Sequence, residues 1–332
     1  MCKRRIARAA GAVTMTMILP GAPEAQAPDT KAAEVIAAAR TALGGDQRIA
    51  GLRTLSLKAE YRRELGAPMG GVNIVTAGPG GGATQTTGDI EIDVMLPDKY
   101  IRVDTGTGML AVTRTEGFDG DRPLMATQSN SPHIRIMEVD PANDPERARA
   151  AVNRNRAELA RLLLGMIAGT QPGFDVAYSY VGQAEAPDGK AEVVDVKGPE
   201  GFSARLFIDT QTHLPLMLTY MAPEPRIIKR VMGAPRGAPP REGSGEAEGR
   251  RRTPPPLTPE ERERLEQERR TLESTPQKLI EYRVFFSDYR DVNGLLLPHR
   301  IVRGTAAATS EEWDVKTFKV NPSIKAERFT IS

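Results

Sequence analysis

The chain has 332 residues, 39% of them hydrophobic and 27% charged, with a formal net charge of +2, and its 31 Gly and 26 Pro give it an excess of turn formers. Cys2 is the only thiol and His133, His213 and His299 stand far apart, which excludes a disulfide framework, an iron–sulfur cluster, a Cys-ligated zinc site and an HExxH hydrolase; no metal or cofactor is expected. Its basic residues are interspersed with acids, so no nucleic-acid partner is expected either.

Residues 1–27 read as a signal peptide: Lys3, Arg4, Arg5 and Arg8 precede the stretch Ala9–Leu19, and Ala25-Gln26-Ala27 offers a cleavage pattern. General secretion fits better than twin-arginine export despite Arg4-Arg5, because the wider motif is missing. Cleavage would remove four basic residues and one acid, take the net charge from +2 to −1 and discard Cys2. The expected location is the periplasm, with no stable membrane insertion afterwards, since no later run has the ~18 apolar residues of a membrane span.

In chain order, the spacing of Ala32, Val35, Ile36, Ala39 and Leu43 predicts a helix from Asp29 or Thr30 to Gly44-Gly45. From Leu52 the period becomes two, in Leu55, Leu57, Ala59 and Tyr61, and again in Ile90, Ile92, Val94 and Leu96. Further strands are expected at 99–104, 109–117, 123–128, 174–182, 190–197, 202–209, 214–221, 278–290, 295–303 and 309–320, parted by turns such as Asp119-Gly120 and Asn293-Gly294. One long helix, 144–168, interrupts this antiparallel meander, with Val152, Leu159, Leu162, Leu163, Met166 and Ile167 on its apolar face.

Residues 222–277 differ in kind. Ten of the 26 prolines fall in 222–276 among charged residues and almost no large apolar ones, so a disordered insertion at a hairpin tip is expected, with a capping box at Thr258–Glu261 starting a solvated helix over 259–272. The glycines of 77–82 match no phosphate-binding fingerprint and read as a loop. Asp119 and Asp121 read as turn formers rather than an acid pair, and the three histidines as surface residues. Trp313 alternates with Val315 and reads as a core or cavity wall. No GxSxG elbow presents a nucleophile, and no enzymatic activity is expected.

An N-terminal helix ending in ALGG, the segments LPDKYIRVD, GFDGDRPL and LFIDTQTHLPLMLTY, and the closing VFFSDYRDVNGLLLPHRIV…VNPSIKAERF together resemble the LolA/LolB-like superfamily of periplasmic lipoprotein carriers, and more specifically its divergent outer-membrane lipoprotein-sorting members. The resemblance implies an α+β fold: an open, strongly curved antiparallel half-barrel of about eleven strands with helices packed on the concave side. Residues 28–221 and 278–332 would build it around the insertion. It also implies a carrier of lipoprotein acyl chains or another lipid-like ligand; the alternative is an envelope signalling or scaffold module that binds a protein partner through the 222–277 arm. A curved sheet with too few helices to cover it leaves an apolar hollow. Its expected lining is Leu55, Leu57, Tyr61, Ile90, Ile92, Val94, Leu206, Ile208, Leu216, Leu218 and Tyr220.

Overall fold

A computed structural model describes residues 29–64, 73–75, 85–107, 112–129, 144–186, 189–224, 227–229 and 277–331, with 260, 263 and 267. The signal segment, the glycines of 77–82 and His133 lie outside the described residues, as does most of the insertion. Glu260, Glu263 and Gln267, within the expected 259–272 helix, are helical and exposed.

The first helix, α1 (Thr30–Ala42), starts where the Asp29 carboxylate accepts the Ala32 amide at 3.1 Å. The same side chain also accepts the Tyr180 amide at 2.7 Å, which fastens the helix start to a distant strand. A short α2 (Asp46–Ala50), not foreseen in the sequence, follows the Gly44-Gly45 stop. Gly44 has φ +127, and a Cβ there would sit 2.3 Å from the Gly294 carbonyl oxygen, so glycine is needed for both backbone angle and close approach.

Five strands then run outward in sequence: β1 (Thr54–Glu64), β3 (Gln85–Met95), β4 (Lys99–Gly106), β5 (Val112–Asp119) and β6 (Arg122–Ser129). The 23-residue α3 (Pro145–Ile167) carries the chain to the opposite edge, capped by Asp144 and ended by Ala168 in the left-handed region (φ 48). From there β7 (Ala177–Ala186), β8 (Gly189–Lys197), β9 (Ser203–Asp209), β10 (Pro215–Pro223), β12 (Leu279–Val292), β13 (Leu295–Thr305) and β14 (Thr309–Val320) return to the centre. There β14 pairs with β1, and the order across the sheet is β6-β5-β4-β3-β1-β14-β13-β12-β10-β9-β8-β7. The sheet is a single open one of twelve antiparallel strands rather than about eleven, with β6 and β7 as its edges. Two short strands, β2 (Asn73–Val75) and β11 (Ile227–Lys229), form a separate parallel pair, and β10 extends through Ala222 and Pro223 into the proline-rich stretch.

Both faces are partly covered. On one, α3 packs against β5, β6, β9, β10 and β13, and its apolar stripe joins the alternate residues of the strands in the main core. On the other, Phe329 and Ile324 of the C-terminal segment cover Ile101 and Leu124, forming a second, small core. His299 is a correction to the sequence reading: it is buried, in phase with Leu297 and Ile301, with Nδ1 3.0 Å from the Leu297 carbonyl and its ring edge-on to Phe318. The neighbouring Pro298 suggested a strand edge, but β13 is paired on both sides, so its in-phase residues face the core. Asp119 and Asp121 behave as expected of turn residues, pairing with Lys99 and Arg122 and with Arg156 of α3 respectively.

Candidate functional site: an apolar face with a charged end

Ten of the eleven expected lining residues share the face that α3 covers, and the cross-strand pairs Leu57 with Ile92, Leu55 with Val94 and Leu218 with Leu206 make it continuous within each half of the sheet. Leu216 does not join them: it is 40% exposed, because a register shift between Pro215 and Met217 inserts it as a bulge and turns it outward. The face is not hollow in this structure. Leu159, Leu162, Leu163 and Met166 of α3 sit over Leu55, Leu57, Ile92 and Val94 and leave a cavity of about 10 Å³, roughly one water. Gly165 lets the helix approach closely, since a Cβ there would lie 2.0 Å from the Phe286 ring. The Tyr289 hydroxyl lies 2.9 Å from the Gly165 carbonyl and 2.7 Å from that of Pro215.

At one end the same face becomes charged. Arg63 continues the phase of Leu57 and Tyr61, Arg102 and Asp104 that of Tyr100, Arg303 that of Ile301, and Glu311 that of Trp313. Arg102 grips Asp104 through two bonds of 2.7 and 2.9 Å and reaches Glu311 at 3.3 Å. Arg63 bonds the same two carboxylates at 2.9 and 2.6 Å. From α3, Glu158 meets Arg303 at 2.5 Å, with Arg161 at 3.8 Å from its other oxygen. Arg102 and Arg303 both lie within 5 Å of the Trp313 ring centroid, and Arg161 lies 4.0 Å from that of Tyr220.

Burial opposes ionisation of Glu158 and Asp104, yet Arg303 beside the first and Arg102 beside the second hold both carboxyls below their ordinary values. Burial pushes the phenols of Tyr100 and Tyr220 up. The Tyr100 hydroxyl, the Trp313 indole N–H and the Nε of Arg63, Arg161 and Arg303 are buried without an acceptor among the described residues. Sequence reading overlooked this cluster, although its signal was available: on four neighbouring or near-neighbouring strands, charged residues occupy the inward phase at the same end.

That end is also where the long connections leave the sheet, as the paired termini Glu64 with Gln85, Val112 with Ser129 and Pro223 with Leu279 indicate. On the outer face, a cleft of about 330 Å³ lies between Ser56, Lys58, Glu91 and Asp93 and the C-terminal segment, where Arg328 pairs with both acids. Among the described residues no helix is long and apolar enough to cross a membrane.

No family model matches the chain, and no curated protein matches it. Among solved structures it is similar to a LolA superfamily protein from Nitrosomonas europaea, with 10% identity, 90% of this chain and 97% of that chain covered, and a TM-score of 0.43. An outer membrane lipoprotein-sorting protein domain from Vibrio parahaemolyticus matches at 8% identity over 90% of this chain and 96% of that one, with a TM-score of 0.40. A DUF1329 family protein from Desulfovibrio piger matches at 8% identity, over 90% and 97%, with a TM-score of 0.36.

Proposed function

We propose that the protein is a periplasmic, non-enzymatic binding protein for the acyl chain of a lipid or lipoprotein, with α3 as a plug on the concave side that the ligand displaces. The observation that supports this reading is that four side chains of one helix cover Leu55, Leu57, Ile92 and Val94 almost without residual space. A methylene chain offers that face the same kind of contact, gaining about 0.8 kcal/mol per buried CH₂. Exchange of one apolar cover for another then costs little net free energy, which is what uptake and release both require. Leu55, Leu57, Tyr61, Ile90, Ile92, Val94, Leu206, Ile208, Leu218 and Tyr220 are the proposed lining; Leu216 is not.

Trp313 provides the test. It is the only tryptophan in the chain, it is fully buried, and Arg303, its stacking neighbour, is tied to α3 through Glu158. Titration with an acylated peptide should give a saturable change in its emission and displace an apolar dye. A protein that binds neither acylated peptide nor dye would reject the carrier reading and leave the scaffold.

A further inference from the structure

We infer that the charged end of the covered face is a recognition site for the phosphate headgroup of an anionic amphiphile, and that Glu158 occupies it as the chain's own substitute for that anion. The inference rests on the carrier reading, since it requires α3 to leave the sheet.

The charge balance points there first. Of the three carboxylates in the cluster, Asp104 and Glu311 belong to the sheet and are held by Arg63 and Arg102, whereas Glu158 alone comes from the helix. When α3 moves away it takes Glu158 and Arg161 with it, leaving three sheet guanidinium groups facing two carboxylates. Arg303 loses the one carboxylate within ion-pair distance of it among the described residues, keeping Glu311 across the strand pair as a more distant opposite charge that Arg63 and Arg102 already hold, while it is still stacked on Trp313. With three guanidinium groups facing two carboxylates at the end of an apolar face, the uncovered cluster has an excess positive charge that favours an anion.

Donor geometry narrows the anion's class. The Trp313 indole N–H and the Tyr100 hydroxyl, both at least nine-tenths buried, have no acceptor among the described residues, nor does the Nε of Arg303. The Glu158 carboxylate, though close to Arg303, leaves these donors unused. A phosphate monoester brings three outer oxygens rather than two, and the planar fork of arginine suits it. The position fits as well: an acyl chain lying along Leu57 and Ile92 would carry its head towards Arg63 and Arg303, at the end where the strands open into long connections.

The full-length mature protein should be titrated with a lysophosphatidic acid, with the monoacylglycerol of the same chain length, which lacks only the phosphate, and with inorganic phosphate alone, following Trp313 emission. The lysophosphatidic acid should bind about tenfold or more tightly than the monoacylglycerol, and Glu158→Gln, which weakens the internal competitor, should widen that ratio by about another tenfold. Arg303→Met should narrow the ratio. Should either variant fail to fold by circular dichroism, the wild-type ratio still decides. Equal affinity for the two lipids would overturn the headgroup site while leaving the carrier intact. Inorganic phosphate binding as tightly as the lysophosphatidic acid would overturn it in favour of a free-oxyanion site. Binding of neither lipid would reject this inference together with the carrier reading.

Discussion

Glu158 of α3 lies 2.5 Å from Arg303 of β13, so the helix that covers the apolar face is also fastened to the middle of the sheet by a charge pair that retains little exposure. Removing one member of such a pair strands the other in a poorly solvated place. Glu158→Ala and Arg303→Met should each lower stability by about 2–3 kcal/mol, and the double variant should lose less than the sum of the two. Urea unfolding of the four proteins checks this; strict additivity would show that the pair is not coupled.

Acid should loosen the same region. Asp104 and Glu158 are held below their ordinary values of 3.8 and 4.5, burial opposing the shift but Arg102 and Arg303 outweighing it. The unfolded chain therefore takes up protons at higher pH than the folded one. The stability these groups contribute is present above about pH 5 and is lost as pH falls through the ordinary values towards the lower, folded ones. A urea midpoint that stays constant from about pH 6 to pH 3 would contradict this.

Gly165 sits where a Cβ would fall 2.0–2.4 Å from atoms of the Phe286 ring. Gly165→Ala should destabilise by about 1–3 kcal/mol through overpacking, despite the better helix propensity of alanine. Phe286→Leu in the same chain should recover part of that loss. Because the strain would lift α3 from the sheet, the single variant should also bind more apolar dye than wild type.

The positions proposed as lining offer a direct contrast. Ile92 and Leu218 are 2% and 0% exposed, so Ile92→Lys and Leu218→Glu should cost several kcal/mol and unfold the protein at ambient temperature. Leu216→Glu, placed on the outward bulge, should change stability by no more than about 0.5 kcal/mol. Thermal melts of the three variants distinguish a sealed face from an open one, and a folded Ile92→Lys protein would mean that water already reaches the lining.

The strands of the twelve-stranded sheet and helices α1 and α3 were legible because each carries its own period: 3.6 in Leu159, Leu162, Leu163 and Met166, two in Leu55, Leu57 and Tyr61; the three-residue strands β2 and β11 are too short to show one. What was not legible depends on partners distant in the chain. The bulge at Leu216 arises from the register of β9 against β10, and the burial of His299 from a strand with neighbours on both sides. The charged cluster combines one residue each from β1, β13 and β14 with two each from β4 and α3, each of which alone reads as an ordinary surface charge.

The pairing of β1 with β14 sets the order in which the fold can close. Arg63 and Glu311, in contact across that seam, are 248 residues apart, so the first strand made must wait for the last before its second edge finds a partner. Closing so long a loop is entropically demanding and slow, and until it happens β1 presents an apolar-faced, unpaired edge. The N-terminal hairpins therefore cannot complete the sheet until residues 309–320 have been made and brought to β1.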